Sequence, residues 1–323
     1  MHIQILAYDD CLASELFAFH DVITMGGRLA GARGEPAIKV SIATLSGREV
    51  TLAGGARIKG RRPETANDLL VVPGFDLLDL DGMEARLAAL RPEIEYLRAR
   101  AATGGPVASI CVGAFVLGQA GLLDDRAVTT AWLFTDELAR RHPRARVNRD
   151  ALIVEDGLLT TAGAFTASHD LALHLIDRHC GQGAARATRN VALIDSGRTS
   201  QRPFVDPGLL PSRAATFSSR VETWLMEHLR DPYSLKSLAD GLATSSRTLL
   251  RRYKAERGRT PLAYVHSARV ERAKLLLEQT ALSVAEIAHH VGYEDVSAFR
   301  ILFGRHAGAS PGSYRQRFQR APE

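Results

Sequence analysis

Cysteine is scarce in this chain: three residues in 323, at positions 11, 111 and 180. Spacing that wide gives neither a disulfide framework nor a zinc-ligand pattern, so no metal is expected. Reduced thiols fit a cytoplasmic protein. Long apolar runs are also missing. The longest near-apolar stretch, residues 108–123, is broken by Gln119 and is shorter than the roughly 20 residues a membrane-spanning helix needs. The opening MHIQILAYDD lacks the basic start and extended apolar core of a secretory signal. No low-complexity tract occurs, and no cofactor is expected.

What is present fits a globular chain, with 46% hydrophobic and 24% charged residues. The length accommodates two domains of ordinary size. Net charge is +5, and its distribution is uneven. Residues 214–323 hold 17 Lys and Arg against 11 Asp and Glu, while the rest of the chain holds 24 against 25. The positive excess therefore lies in the last third, as in a neutral domain joined to a nucleic-acid-binding end. A solvated basic surface would give the same count.

Up to about residue 180, short apolar runs alternate with helical stretches. Strands are expected at 3–7, 37–43, 69–72, 107–111, 127–130 and 158–161. Helices are expected at 14–24, 83–103, 115–120, 135–142 and 166–179. Such alternation predicts an α/β domain, residues 1–190, with a mostly parallel sheet covered on both faces. Ligands of such folds bind beyond the carboxyl ends of the strands. The segment SGRTSQRPFVDPGLLPSR holds three prolines and little periodicity. It marks an exposed linker, 191–213. An all-α domain, 214–323, follows.

That domain contains one plan twice: SLKSLADGLATSSRTLLRRYKAERG and LSVAEIAHHVGYEDVSAFRILFGRHAG. Each begins at a serine suited to cap a helix, Ser234 or Ser283. Each continues through a short helix with a central alanine, a break, and a second helix. The small residue permits a close crossing, giving two helix-turn-helix units. A helix opening at Pro261 would join them. With VAEIAHHVGY and the closing SPGSYR, this region resembles the AraC/XylS type of DNA-binding domain.

In the first recognition helix Leu249 and Tyr253 face the core. Arg247, Leu250, Arg251 and Lys254 take the opposite face by i, i+3, i+4 and i+7 spacing. The resemblance implies that these positions face the major groove. Arg247 and Arg251 are the expected base readers, because arginine donates two parallel hydrogen bonds to guanine. Arg252, Lys254 and Arg257 are expected at phosphates. In the second recognition helix Val296, Ser297 and Arg300 are expected outward, and Ile301 and Gly304 stand where the family often has basic residues. Two such helices would enter successive major grooves about 34 Å apart.

The first domain carries VVPGF at 71–75, ASICVGAFVLGQAGLL at 108–123, AVTTAW at 127–132 and GLLTTAGAFTASHDLALHLI at 157–176. On these it resembles the ThiJ/PfpI superfamily, a flavodoxin-like fold related to class I glutamine amidotransferases. That domain followed by AraC-type helices is the architecture of GlxA-type transcriptional regulators. In the superfamily's enzymes a cysteine on a strained turn works with a glutamate of the first helix and a downstream histidine. Cys111 matches the cysteine and Glu15 the glutamate, while the histidine position reads Ala131. Alanine cannot carry a proton, so Cys111 and Glu15 are expected to be vestigial rather than catalytic.

Four roles stay open for Cys111: floor of a ligand pocket, redox-sensing thiol, catalyst, or simple buried residue. The expected ligand-site residues are Glu15, Gly74, Cys111 and Val112. The expected function is sequence-specific transcriptional regulation without catalysis, answering a small-molecule effector. Its partners would be double-stranded promoter DNA, RNA polymerase and a second copy of the chain in a homodimer, with no membrane. The alternatives are a thiol sensor acting through Cys111 and a hydrolase or lyase with a DNA-binding tail.

Overall fold

A computed structural model describes residues 1–45, 47–64, 67–77, 82–195, 198–206, 209 and 217–319. The chain divides into two compact units, Met1–Gln201 and Arg202–Glu323.

In the first unit the described elements are, in chain order, β1 (His2–Ala7), α1 (Ala13–Ala32), β2 (Lys39–Thr44), β3 (Glu49–Thr51), β4 (Arg57–Lys59), β5 (Leu69–Val72), α2 (Met83–Ala89), α3 (Arg91–Ala102), β6 (Val107–Ile110), α4 (Gly113–Gln119), β7 (Ala127–Val128), α5 (Thr135–Arg141), β8 (Arg146–Val147), β9 (Ile153–Asp156), β10 (Leu159–Ala162), α6 (Ala167–Cys180) and α7 (Gln182–Ala192). The main sheet runs β2-β1-β5-β6-β10-β9. Its pairings are parallel except at the β9 edge, which meets β10 antiparallel. β5, β6 and β10 are buried at every residue, as expected of parallel strands covered on both faces. α1, α6 and α7 pack together as one group, and α2 and α3 pack with α4 as another. This is the expected flavodoxin-like α/β domain with a mostly parallel sheet.

Two local expectations are corrected. The stretch 83–103 is two helices, because Pro92 in the first turn of α3 has no N–H to continue the bonding of α2. The strand expected at 127–130 stops at Val128 and pairs with β8 in a separate ribbon. Thr129 and Thr130 leave it for tertiary bonds: the Thr129 N–H donates to Thr161 Oγ1, and Thr130 Oγ1 donates to the Cys111 carbonyl.

The second unit holds α8 (Phe217–Glu227), α9 (Leu235–Gly241), α10 (Ser246–Arg257), α11 (Pro261–Gln279), α12 (Val284–His290), α13 (Val296–Ala307) and α14 (Pro311–Phe318). Ser234 and Ser283 cap α9 and α12 as expected, and Glu286 completes a capping box on Ser283. Ser245, Thr260, Asp295 and Ser310 cap the helices that follow. Two cores form. Val221, Leu225, Leu238, Ala239, Leu249 and Tyr253 build one, while Ile287, Ala288, Phe299, Phe303 and Tyr314 build the other. α11 contributes Val265 to the first core and Val270, Ala273 and Leu277 to the second, so it ties the two helix-turn-helix units together.

Of the span 191–213, residues 196–197, 207–208 and 210–213 lie outside the described residues. So do 214–216, where the helical domain was expected to begin. The described parts are not a free tether. Gln201 is buried in the first unit, and Arg202 Nη1 donates to the Arg305 carbonyl of α13 within the second.

Candidate functional site

The first unit's site is built at the end of β6. Cys111 has φ 54°, the left-handed region that costs a residue with a β-carbon about 1–3 kcal/mol. Its surroundings over-determine that conformation. The Cys111 N–H donates to the carbonyls of Ala162 (3.0 Å) and Gly163 (2.9 Å), and Thr130 Oγ1 donates to the Cys111 carbonyl at 2.7 Å. α4 begins two residues later.

Glu15, in the first turn of α1, is fully buried beside this turn. Its Oε2 accepts the Gly74 N–H at 2.6 Å. A β-carbon on Gly74 would lie 3.0 Å from Glu15 Oε2, 3.2 Å from Cys111 Cβ and 3.2 Å from Val112 Cγ2. The four expected ligand-site residues are thus one cluster, and a side chain at position 74 would crowd its centre. Tyr8 lies against the same cluster, with its hydroxyl donating to the Pro73 carbonyl.

Burial pushes the Glu15 carboxyl up to about 7, even though the bonds from Gly74 and Cys111 oppose the rise. Burial, then the Glu15 charge, pushes the Cys111 thiol well above its ordinary range, against the pull of the Phe165 and Val112 backbone. This is the reverse of an activated thiolate. Cys11 is also buried, and desolvation lifts it to about 12. All three cysteines are free. Ala131, at the position where the resemblance calls for histidine, is only 4% exposed. His169 Nδ1 instead lies 3.2 Å from the Thr166 carbonyl and 3.4 Å from Ser168 Oγ. Glu15 Oε1 is buried with no hydrogen-bond partner. Among the described residues no group of three or more His, Cys, Asp or Glu is placed to hold a metal, and no helix is long and apolar enough to cross a membrane.

The sequence reading missed Gln201. Its buried carboxamide reaches both loops beside Cys111, taking the N–H groups of Trp132 (3.0 Å) and Ala164 (3.1 Å) on Oε1. Its Nε2 donates to the carbonyls of Thr130 (2.9 Å) and Ala151 (3.0 Å). No spacing signal marks it, because its side-chain partners lie 37 to 72 positions away. An open groove of about 460 Å³, also unforeseen, is lined by His174, Arg186, Arg189 and Arg198 among others.

In the second unit, Leu249 and Tyr253 are buried while Arg247, Arg251 and Lys254 are exposed and Leu250 is half-buried. Arg252 is exposed as well, but its guanidinium lies 4.2 Å over the Phe217 ring. Arg257, expected at a phosphate, is half-buried and paired with Glu222 at 2.7 Å. The reason is its position one turn beyond Tyr253, whose hydroxyl donates to the same Glu222. On α13, Ser297 and Arg300 are exposed, whereas Val296 is half-buried against the second core. Ile301 is 66% exposed, and a β-carbon at Gly304 would meet only open space. The outer face of α13 therefore carries less charge than that of α10.

An α/β unit with a cysteine elbow, followed by two helix-turn-helix units on a shared helix, defines a DNA-binding transcriptional regulator of the AraC type. A family model described as the DJ-1/PfpI family matches residues 10–178, and a helix-turn-helix domain model matches 238–317. The HTH-type transcriptional regulator GlxA of Rhizobium meliloti is 30% identical over 231 residues, covering 68% of this chain and 68% of GlxA. The regulator GbdR of Pseudomonas aeruginosa is 27% identical over 279 residues, or 84% of this chain and 73% of GbdR. CdhR of the same species is 29% identical over 259 residues, or 78% and 73%. The chain belongs to the DJ-1/PfpI family.

Proposed function

We propose that this regulator binds a small effector bearing an N–H or O–H donor at the Glu15–Gly74–Cys111–Val112 cluster, and that occupancy changes its affinity for promoter DNA. One observation carries the reading: Glu15 Oε1, fully buried and without a partner, beside a strained cysteine. A buried acceptor left unpaired costs about 1–3 kcal/mol, which a donor on the effector would offset. Such orphaned groups in native folds call for a functional reason. The effector must favour one of two states, or no shift follows.

The cluster binds without catalysing. Thiol catalysis of the kind the resemblance implies needs a histidine partner; Ala131 supplies none, and burial together with the neighbouring Glu15 charge holds the Cys111 thiol protonated. On DNA, Arg247 and Arg251 read base edges, with Leu250 against them, and Lys254 meets phosphate. Arg252 steadies α10 through Phe217 and reaches phosphate from its exposed side. Ser297 and Arg300 set the second helix in the next groove, with Val296 anchoring it from below. Two copies would bind paired sites in the cytoplasm and present them to RNA polymerase.

The test is a thermal-shift screen of small amines, amino acids and hydroxy acids on the full chain, repeated with Glu15→Gln. Hits that vanish in the variant and alter duplex binding support the reading. Hits that survive the substitution, or turnover that is lost in Cys111→Ala, would overturn it.

A further inference from the structure

We infer that Gln201 is the residue that transmits occupancy of the Cys111 cluster to the DNA-binding unit. The inference rests on the effector reading above and names the device through which that site would act.

Burying a carboxamide is costly unless its donors and acceptor are matched. Gln201 is 2% exposed, and its side chain is fully engaged by main chain on both sides of the elbow. Oε1 holds the N–H groups of Trp132 and Ala164, and Nε2 holds the carbonyls of Thr130 and Ala151. Those loops are the ones that fix Cys111: Thr130 Oγ1 donates to its carbonyl, and the Gly163 carbonyl accepts its N–H. The packing leaves no slack, since a β-carbon on Gly163 would lie 2.5 Å from Gln201 Cδ. A group entering beside Cys111 therefore braces or displaces loops that a single side chain clamps.

The main chain around Gln201 is anchored too. Its N–H and Ser200 Oγ both donate to the Asp150 carbonyl, at 2.8 and 2.9 Å. Arg198 Nη1 donates to Thr166 Oγ1 at 2.8 Å, and Arg198 also pairs with Asp170. The next residue, Arg202, is the first of the second unit. Within that unit Arg202 Nη1 donates to the Arg305 carbonyl of α13 at 2.6 Å. Lys274 Nζ of α11 donates to the carbonyls of Arg202 and Val205, each at 3.3 Å. Phe204 meets Phe318 of α14 edge-on, with ring centroids 5.6 Å apart. One peptide bond thus separates an anchorage on the elbow loops from an anchorage on helices of the second helix-turn-helix unit.

The experiment uses the full chain with Cys11→Ala and Cys180→Ala, so that methyl methanethiosulfonate places a methylthio group on Cys111 alone, followed by intact mass. Where capping is incomplete, Cys111→Met supplies similar bulk genetically. Affinity is measured for a duplex obtained by in vitro selection. Capping should change affinity by about 5-fold or more, the lower end of ordinary coupling between sites. The change should fall below about 2-fold in Gln201→Met. Inserting Gly-Gly-Ser between Gln201 and Arg202 keeps every Gln201 bond and should abolish the response equally; this variant decides if Gln201→Met fails to fold. An undiminished response with the insertion overturns the inference while leaving the effector site standing. No response in the Gln201 parent, despite full modification, removes the effector reading and the inference with it.

Discussion

The elbow and the outer face of α10 arrange functional groups by opposite means. At the elbow everything is withdrawn from water: Glu15 is fully buried, Cys111 is 7% exposed, and the backbone is held in a left-handed turn. On α10 the functional side chains stand in solvent over a core of Leu249 and Tyr253, and the helix closes at a left-handed Gly258. Desolvation makes the elbow sensitive to one added donor or one proton. Exposure leaves Arg247, Arg251 and Lys254 without a fixed partner among the described residues, open to a polyanion and sensitive to salt.

This contrast is broken if the elbow ignores pH. The Glu15 carboxyl is raised from 4.5 to about 7 in the folded chain. The native state therefore binds a proton more tightly than the unfolded state does. The stabilisation from that proton is complete below pH 4.5 and is lost as pH rises to about 7. Chemical-denaturation stability of the wild type, taken relative to Glu15→Gln, should fall by up to about 1.4 kcal/mol per pH unit across that window. A flat difference would mean Glu15 is solvated. Next in size, Gly74→Ala forces a β-carbon against Glu15, Cys111 and Val112, and overpacking of this kind costs about 1–3 kcal/mol. The check is a lowered denaturation midpoint together with loss of effector-induced thermal shift.

On α10 the effects should appear in DNA binding and leave folding untouched. Arg251→Ala should cost about 1–3 kcal/mol of affinity for the selected duplex and far less for a scrambled one. Equal losses on both would assign Arg251 to phosphate. The smallest effect belongs to Lys254→Ala. It should weaken both duplexes alike and reduce the salt slope of log K by about 1, as followed by anisotropy titrations at several salt concentrations.

The two sites were unequally legible in the sequence. Period-3.6 spacing separates Leu249 and Tyr253 from Arg247, Arg251 and Lys254, because a solvated helix displays its own pattern. It could not show Arg252 stacked on Phe217 or Arg257 bound to Glu222, because both partners come from α8. Cys111, Glu15 and Gly74 were found through the family resemblance, and the close approach of Glu15, Cys111 and Val112 to position 74 shows only in the folded chain. Gln201 was hidden inside a segment whose prolines suggest an exposed linker, since its partners are mostly main-chain atoms supplied by distant loops. Pro92 marks the break between α2 and α3 inside a stretch whose apolar spacing, Met83, Leu87, Leu90, Ile94 and Leu97, runs on across it.

The central claim, that this chain reads DNA sequence through α10, is tested most directly by titrating the full protein with its selected duplex and with a scrambled duplex at one fixed salt concentration. Binding to the selected duplex should be at least about 1,000-fold tighter, with Arg251→Ala removing much of that ratio. Equal affinity of the unmodified protein for both duplexes would contradict it.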